Sequence, residues 1–452
     1  MANSDEKRAA PAAGSAAASG SAPAAGSAPA AAAAEPRRIQ HSSASLARVR
    51  NGSRVAVREA AGSATARRIP LKETNALYRA ERGRTNGRIA ATVVVLLVLG
   101  FLSLGIMGAQ GHDYVGSYEY ALYSPAQVAY VLYLHAYNAV AEATHLFSPY
   151  GIEWLTNNVE GYWAIPERAQ VIGITLICAV LLSVSGMLYQ NVFRNPIAGP
   201  SMLGVSSGVS LGVLILVVLY GAQATAMLAQ RYALCYGLGA AILIFVLIAG
   251  RKLSGKGRPM NTTSLMLIGS ITSQLLGFVV SYVTLFVMDD TDYAVFYEVS
   301  QMLTVDTSAL SWLCLGIASV CTIVPVYLLR YHMNALSFDE AEVRLWGLNY
   351  GRLRTIALVC GAIMILAAQI HTGMVGLVSL IVPYLARSWF GSEFSEQFVG
   401  NVCISTVLLL ICRDITDLIP FVGDGLALGS VVSVVALPLF LVVVAKQQRG
   451  WE

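Results

Sequence analysis

NPIAGPSMLGVSSGVSLG, Asn195–Gly212, breaks an otherwise apolar chain with two prolines, four glycines and a scatter of serines. The sequence on either side is nearly all Leu, Val, Ile and Ala. Pro196 and Pro200 donate no backbone hydrogen bond and push the residues before them out of helix, so they end one helix and pin a tight turn. Asn195 can cap backbone groups inside that turn. Gly204, Gly208 and Gly212 recur every four residues and therefore line one face of the returning helix. The stretch reads as a hairpin between two apolar helices.

Working outward, the same greasy texture continues through most of the 452 residues, 56% of which are hydrophobic and 12% charged. Soluble domains carry ~25% charged residues. Apolar runs of ~20 residues, long enough to cross a bilayer, centre in ten stretches: 89–108, 170–190, 201–220, 231–250, 264–287, 309–330, 352–370, 374–390, 399–418 and 427–445. Backbone groups in lipid must be satisfied within their own segment, so these spans are expected to be helices and the fold all-α, a polytopic membrane protein. Arg194, Arg251, Lys252, Lys256, Arg258, Arg330, Arg344, Arg352, Arg354, Arg387, Lys446 and Arg449 fall on one side of such a topology, which predicts a cell-membrane protein with both termini cytoplasmic.

Residues 1–88 are expected to be a cytoplasmic tail, an Ala/Gly/Ser/Pro tract too poor in bulky apolar residues for a core, then a basic stretch. No aromatic interleaving accompanies the charge, so anionic lipid rather than nucleic acid is the expected partner. The transmembrane domain is then expected over 89–447. Within it, 109–167 forms an enlarged outer segment rich in tyrosine, whose middle, SPAQVAYVLYLHAYNAVAEA, reads as an amphipathic helix at the interface or as a docking surface.

Chemistry is sparse. GRKLSGKG, Gly250–Gly257, nearly matches a phosphate loop but ends in Gly257 where a hydroxyl should hold Mg²⁺, and follows a span rather than a strand. The six histidines are scattered without ligand spacing, and the seven cysteines lie inside the spans without a C-x-x-C. Neither a metal, a cofactor nor catalysis by this chain is expected. Charges within spans are functional candidates; Arg413, Asp414 and Asp417 qualify, as a structural ion pair or as a proton or cation site. Small residues also stripe the fifth span (Gly269, Ser273, Gly277, Ser281) and the tenth (Gly425, Gly429, Ser433), fitting close helix packing, a pathway or a dimer seam.

GMLYQNVFRNPIAGPSMLGVSSGVSLG resembles the signature of the FecCD-type permeases, the membrane subunits of iron-siderophore, haem and cobalamin ABC importers. NALSFDEAEVRLWGLNYGRLR (Asn334–Arg354), GMVGLVSLIVPYLAR (Gly373–Arg387) and GLALGSVVSVVALPLF in the tenth span are similar to three further family patterns in the same order. The resemblance implies a dimer, of two copies or with a paralogue, around a central pathway near the fifth and tenth spans. It further implies an extracytoplasmic substrate-binding protein and two cytoplasmic ABC ATPase subunits as partners. Segment 334–354 would be the coupling loop, with Asp339, Glu340, Ala341, Leu345, Gly347 and Leu348 touching the ATPase; Asn195, Pro196 and Pro200 would form the turn at the cytoplasmic gate. Arg168 is what remains of the family's outer R-L-P-R and would dock the binding protein. Ferric siderophore is the expected cargo, before haem or cobalamin. An ion-coupled secondary transporter working through Asp414 and Asp417 is the alternative. Departures from the family cluster on the outer side: Leu418 stands four residues after Asp414 in place of arginine, YEVSQM (Tyr297–Met302) replaces W-x-x-G-S-L, and Gly425 and Ala427 replace Glu and Pro.

Overall fold

The computed structural model describes residues 71–106, 123–144, 149–150, 155, 159, 162–254, 262–301, 305–418 and 427–449. Every regular element among them is helical: α1 Leu71–Ser103, α2 Pro125–Thr144, α3 Ala164–Phe193, α4 Val205–Tyr220, α5 Leu228–Ser254, α6 Thr262–Phe286, α7 Asp290–Gln301, α8 Ala309–Leu328, α9 Glu340–Leu345, α10 Tyr350–Thr372, α11 Leu377–Trp389, α12 Phe394–Leu418 and α13 Leu428–Arg449, with short turns between them. Eight of these are long and apolar enough to cross a membrane, and α11 and the apolar part of α13, Leu428–Val442, are shorter apolar helices. Together they fall on the ten stretches expected from hydropathy, and the chain is a multi-pass membrane protein. Gly425, in the segment before α13, lies outside the described residues, as do residues 1–70 of the tail.

One boundary moves. The helix of the first span begins at Leu71, inside the segment assigned to the tail up to residue 88. Nine of the twelve residues of LKETNALYRAER are Leu, Lys, Glu, Ala or Arg, all strong helix formers. Composition judged apolarity and therefore overlooked a polar extension of the same helix.

Helix α3 is the axis of the core. Nearly every residue from Cys178 to Phe193 is buried, against α10, α11 and α12. Glycines and hydroxyls let these backbones meet: a Cβ at Gly186 would run into the Ser379 carbonyl, and Ser185 Oγ donates to Gly361 O at 2.6 Å. Tyr189, fully buried, donates from its hydroxyl to Leu358 O at 3.0 Å. Such contacts hold helices together where water cannot drive them.

The glycines of α4 have the same explanation. A Cβ on Gly208 would lie 2.7 Å from Gly239 Cα and one on Gly212 2.9 Å from Cys235 Cα, both on α5. This stripe is therefore a seam between consecutive spans. The cysteines are all free; five are buried, Cys314 is half-buried and Cys321 exposed.

Segment 109–167 folds, among its described residues, in part as expected. Val128, Val131 and Leu134 of α2 recur at helical spacing and are buried with Leu155, Val159, Tyr162 and Ile165 in a small core of their own. Tyr130, Tyr133 and Val140 stay exposed on the opposite side, so the helix is amphipathic.

Candidate functional site

Two polar assemblies and one turn organise the ends of the spans. The turn comes first in the chain. Helix α3 ends at Arg194, whose φ of 51° makes it the one non-glycine residue with positive φ among the described residues. For an L-residue this costs ~1–2 kcal/mol, and the side chain supplies the offset. The Arg194 guanidinium donates to Leu336 O at 3.4 Å, to Tyr350 Oη at 3.2 Å, to Phe338 O and to the Asp339 carboxylate. Partial burial works against its charge, but the Tyr350 hydroxyl and Asp339 outweigh it, so its pKa lies above the ordinary arginine value.

Beyond Arg194, Asn195 Oδ1 accepts from Ile197 N at 3.0 Å, the side-chain turn expected of it. Pro196 is exposed; Pro200 is buried at the start of the 3₁₀ turn Pro200–Leu203, and Gly204 at φ 77° admits α4. That turn sits on α6: Ser273 Oγ donates to Ser201 O at 3.3 Å, and a Cβ at Gly269 would collide with the Met202 carbonyl.

Segment 334–354 is a short turn, α9 and the start of α10. Val343 and Leu336 are buried and anchor it, and Phe338 meets Trp346 edge to face at 5.0 Å. Facing away are Ala341, exposed, and Leu345, 86% exposed, with Trp346 at 53%. Glu340 pairs with Arg344 one turn on at 2.7 Å. Gly347, at φ 75° with open space around it, reverses the chain, and Leu348 packs back on the core. The residues expected at the coupling loop are thus brought together as one protrusion, clasped by Arg194.

The expected seam residues divide. Gly269 and Ser273 are used within the chain, against the turn just described. Gly277 and Ser281, further along α6, are exposed. On α13, a Cβ at Gly429 would lie 2.6 Å from Met374 O, so Gly429 also serves internal packing, while Ser433 Oγ donates to Gly429 O of its own helix at 2.7 Å.

At the other ends of α3 and α12 lies an ion cluster. Arg168, 5% exposed, reaches Asp414 at 2.8 Å with one arm and Asp417 with the other. Arg413 Nε pairs with Asp417 at 3.0 Å, and Ser103 of α1 donates to Asp414. Two cations and two anions compensate one another. Both arms of Arg168, the residue expected to dock a binding protein, are occupied within the chain and its side chain is buried, because Asp414 and Asp417 fall on the facing helix. The same geometry gives the carboxylates a structural partner each, the ion-pair reading of the sequence.

A second polar cluster was not legible in the sequence. Tyr232 of α5 places its hydroxyl 3.2 Å from Asp306 Oδ2 and 3.3 Å from His371 Nε2 of α10, and Arg231 lies 3.6 Å from Asp306. Each of these residues looked isolated, since its partners come from three separate segments. Arg194 was missed for another reason: it looked like one more basic residue of an inner loop, although an arginine directly before Asn-Pro at a helix end was the available signal. Among the described residues no group of three or more His, Cys, Asp or Glu could hold a metal ion.

The model of the FecCD transport family matches residues 133–446, more than two thirds of the sequence. The chain belongs to the FecCD transport family. A Helicobacter pylori protein named "Probable iron chelatin transport system permease protein" is 28% identical over 269 residues, covering 59% of this chain and 78% of that one. The hemin transport system permease protein HmuU of Yersinia pestis is 26% identical over 302 residues, 66% of this chain and 87% of its own. A solved structure titled "An inward-facing conformation of a putative metal-chelate type ABC transporter" superimposes with a TM-score of 0.57 at 18% identity, over 80% of this chain and 99% of that one. The fold of this FecCD protein is accordingly that of an ABC transporter permease, and the apolar helices make it a membrane transport protein.

Proposed function

We propose that this FecCD protein is the permease of an importer for iron chelates, with ferric siderophore the first cargo to test and haem and cobalamin after it. ATP hydrolysis belongs to two separate ABC ATPase subunits on the cytoplasmic side, and cargo arrives on an extracytoplasmic binding protein. Two copies, or this chain and a paralogue, pair along the open faces of α6, where Gly277 and Ser281 are exposed. Both termini and segment 334–354 lie on the cytoplasmic side, consistent with the basic residues there.

The observation that carries this reading is the protrusion itself. Leu345 and Trp346 project beside a buried anchor, Val343, at a place where no membrane span requires a helix. Exposed large apolar side chains on a rigid, charge-rimmed projection suit a protein partner. The names of the relatives support iron chelates as the cargo class.

The test is reconstitution in proteoliposomes with the ATPase subunits and binding protein, measuring ATP-dependent uptake of ⁵⁵Fe(III) bound to hydroxamate, catecholate or citrate, with haemin and cobalamin in parallel. ATP-independent uptake by the chain alone under an imposed proton or sodium gradient would instead establish the ion-coupled carrier.

A further inference from the structure

We propose that Arg194 is a positioning residue that transmits the movement of the 334–350 loop to the turn at residues 195–204 and so to α6. The inference rests on the reading of that loop as the ATPase-docking element, and adds the part that carries its motion.

The physical path is continuous. On one side the guanidinium holds the loop at three points of its chain, the Leu336 and Phe338 carbonyls and the Asp339 carboxylate, and it also reaches the Tyr350 hydroxyl at the start of α10. A planar fork engaged at several acceptors fixes direction as well as distance, which a single ammonium cannot do. On the other side Arg194 is the last link before a stiff turn: its own N–H and that of Asn195 both bond Gln190 O, Asn195 Oδ1 locks Ile197, and two prolines follow. The turn in turn bears on α6 at Ser201 and Met202, and Ser207 Oγ donates to Ser273 O at 3.4 Å. Past that contact α6 presents the open Gly277 and Ser281. Loop, arginine, turn and helix thus form a chain of packed and bonded groups with no slack segment between them, as mechanical coupling requires.

The left-handed backbone provides the means to test it cleanly. Glycine is at ease at φ 51°, so Arg194→Gly removes the arm without adding backbone strain. The full permease in nanodiscs with its ATPase subunits is compared by amide hydrogen exchange in the nucleotide-free and vanadate-trapped states. In the wild type, segments 334–350 and 195–204 both change their exchange on trapping. In R194G the ATPase still copurifies and 334–350 still responds, but the response of 195–204 falls by about threefold or more, within the range of coupling effects along such networks. Arg194→Lys, which keeps the charge and part of the bonding, recovers some of that response. An unchanged 195–204 response in R194G overturns the proposal. So does loss of ATPase binding in R194G, which would make Arg194 part of docking, and so does a wild-type turn that ignores nucleotide while the loop responds. A wild-type chain that binds no ATPase would remove the proposed function and this inference with it.

Discussion

Replacing Asp417 by Asn isolates what the buried ion cluster does. Asp417 is 9% exposed and accepts from both Arg168 and Arg413, themselves 5% and 4% exposed. The substitution leaves two buried guanidinium groups facing the single carboxylate of Asp414. Removing one partner of a buried pair costs ~3–5 kcal/mol, because the remaining charge is left uncompensated. Since the cluster lies at helix ends and Asp414 still neutralises part of the charge, the expected loss is at the lower end, about 3 kcal/mol. Asp414→Asn should cost less, about 2 kcal/mol, because Arg168 then keeps Asp417 and the other group lost is the neutral Ser103. Replacing Arg413 and Asp417 together by Met and Leu should recover most of the loss, since Arg168 and Asp414 remain paired at 2.8 Å and no charge is orphaned. The assay is reversible unfolding in mixed micelles, followed by far-UV circular dichroism, beside uptake in proteoliposomes. Uptake should fall only in proportion to the folded protein that remains. Unfolding free energy within ~0.5 kcal/mol of wild type, the range of an inert surface change, together with abolished transport, would refute the structural assignment and return Asp417 to the role of a cation or proton carrier.

Gly208→Leu inserts a side chain where α5 backbone lies in contact, so expression in folded form should collapse, a loss of several kcal/mol from overpacking visible as aggregation on size-exclusion chromatography. Gly277→Leu enters open space and should leave the monomer's stability within ~0.5 kcal/mol, while weakening self-association as measured by single-molecule photobleaching; an unchanged dimer would remove α6 from the seam. At Gly347 the positive φ strains any side chain, so Gly347→Trp should reduce ATPase copurification and uptake together while the melting temperature of the membrane core stays near wild type. Tyr189→Phe deletes one buried hydroxyl and leaves Leu358 O without that donor, with an expected destabilisation of about 1 kcal/mol in the same micellar unfolding assay.

How much of this could be read from the sequence varies with the range of the interaction. The hairpin at Asn195–Gly204 was legible because proline, asparagine and glycine act on their own backbone, and the turn forms where they stand. The glycine stripes were legible as close packing, though not as to what they pack against: Gly208 and Gly212 meet the next span, Gly269 meets the 3₁₀ turn before α4, and Gly429 meets the segment before α11. Segment 334–350 was placed by its motif, but its clasp by Arg194, about 140 residues away in the chain, depends on how two loops are carried to the same end of the helices. Arg168 shows the converse, a residue whose motif suggested an outer surface and whose partners draw it inside.

Hydropathy alone determined the class of this protein, because a bilayer leaves an apolar run of ~20 residues no alternative to a hydrogen-bonded helix. Local chemistry likewise settled where those helices turn. Tertiary structure decided which charges neutralise one another, which glycines face a backbone and which face open space, and which arginine links loop to turn. Those outcomes depend on distances between segments far apart in the chain, and such distances exist only once the helices have packed.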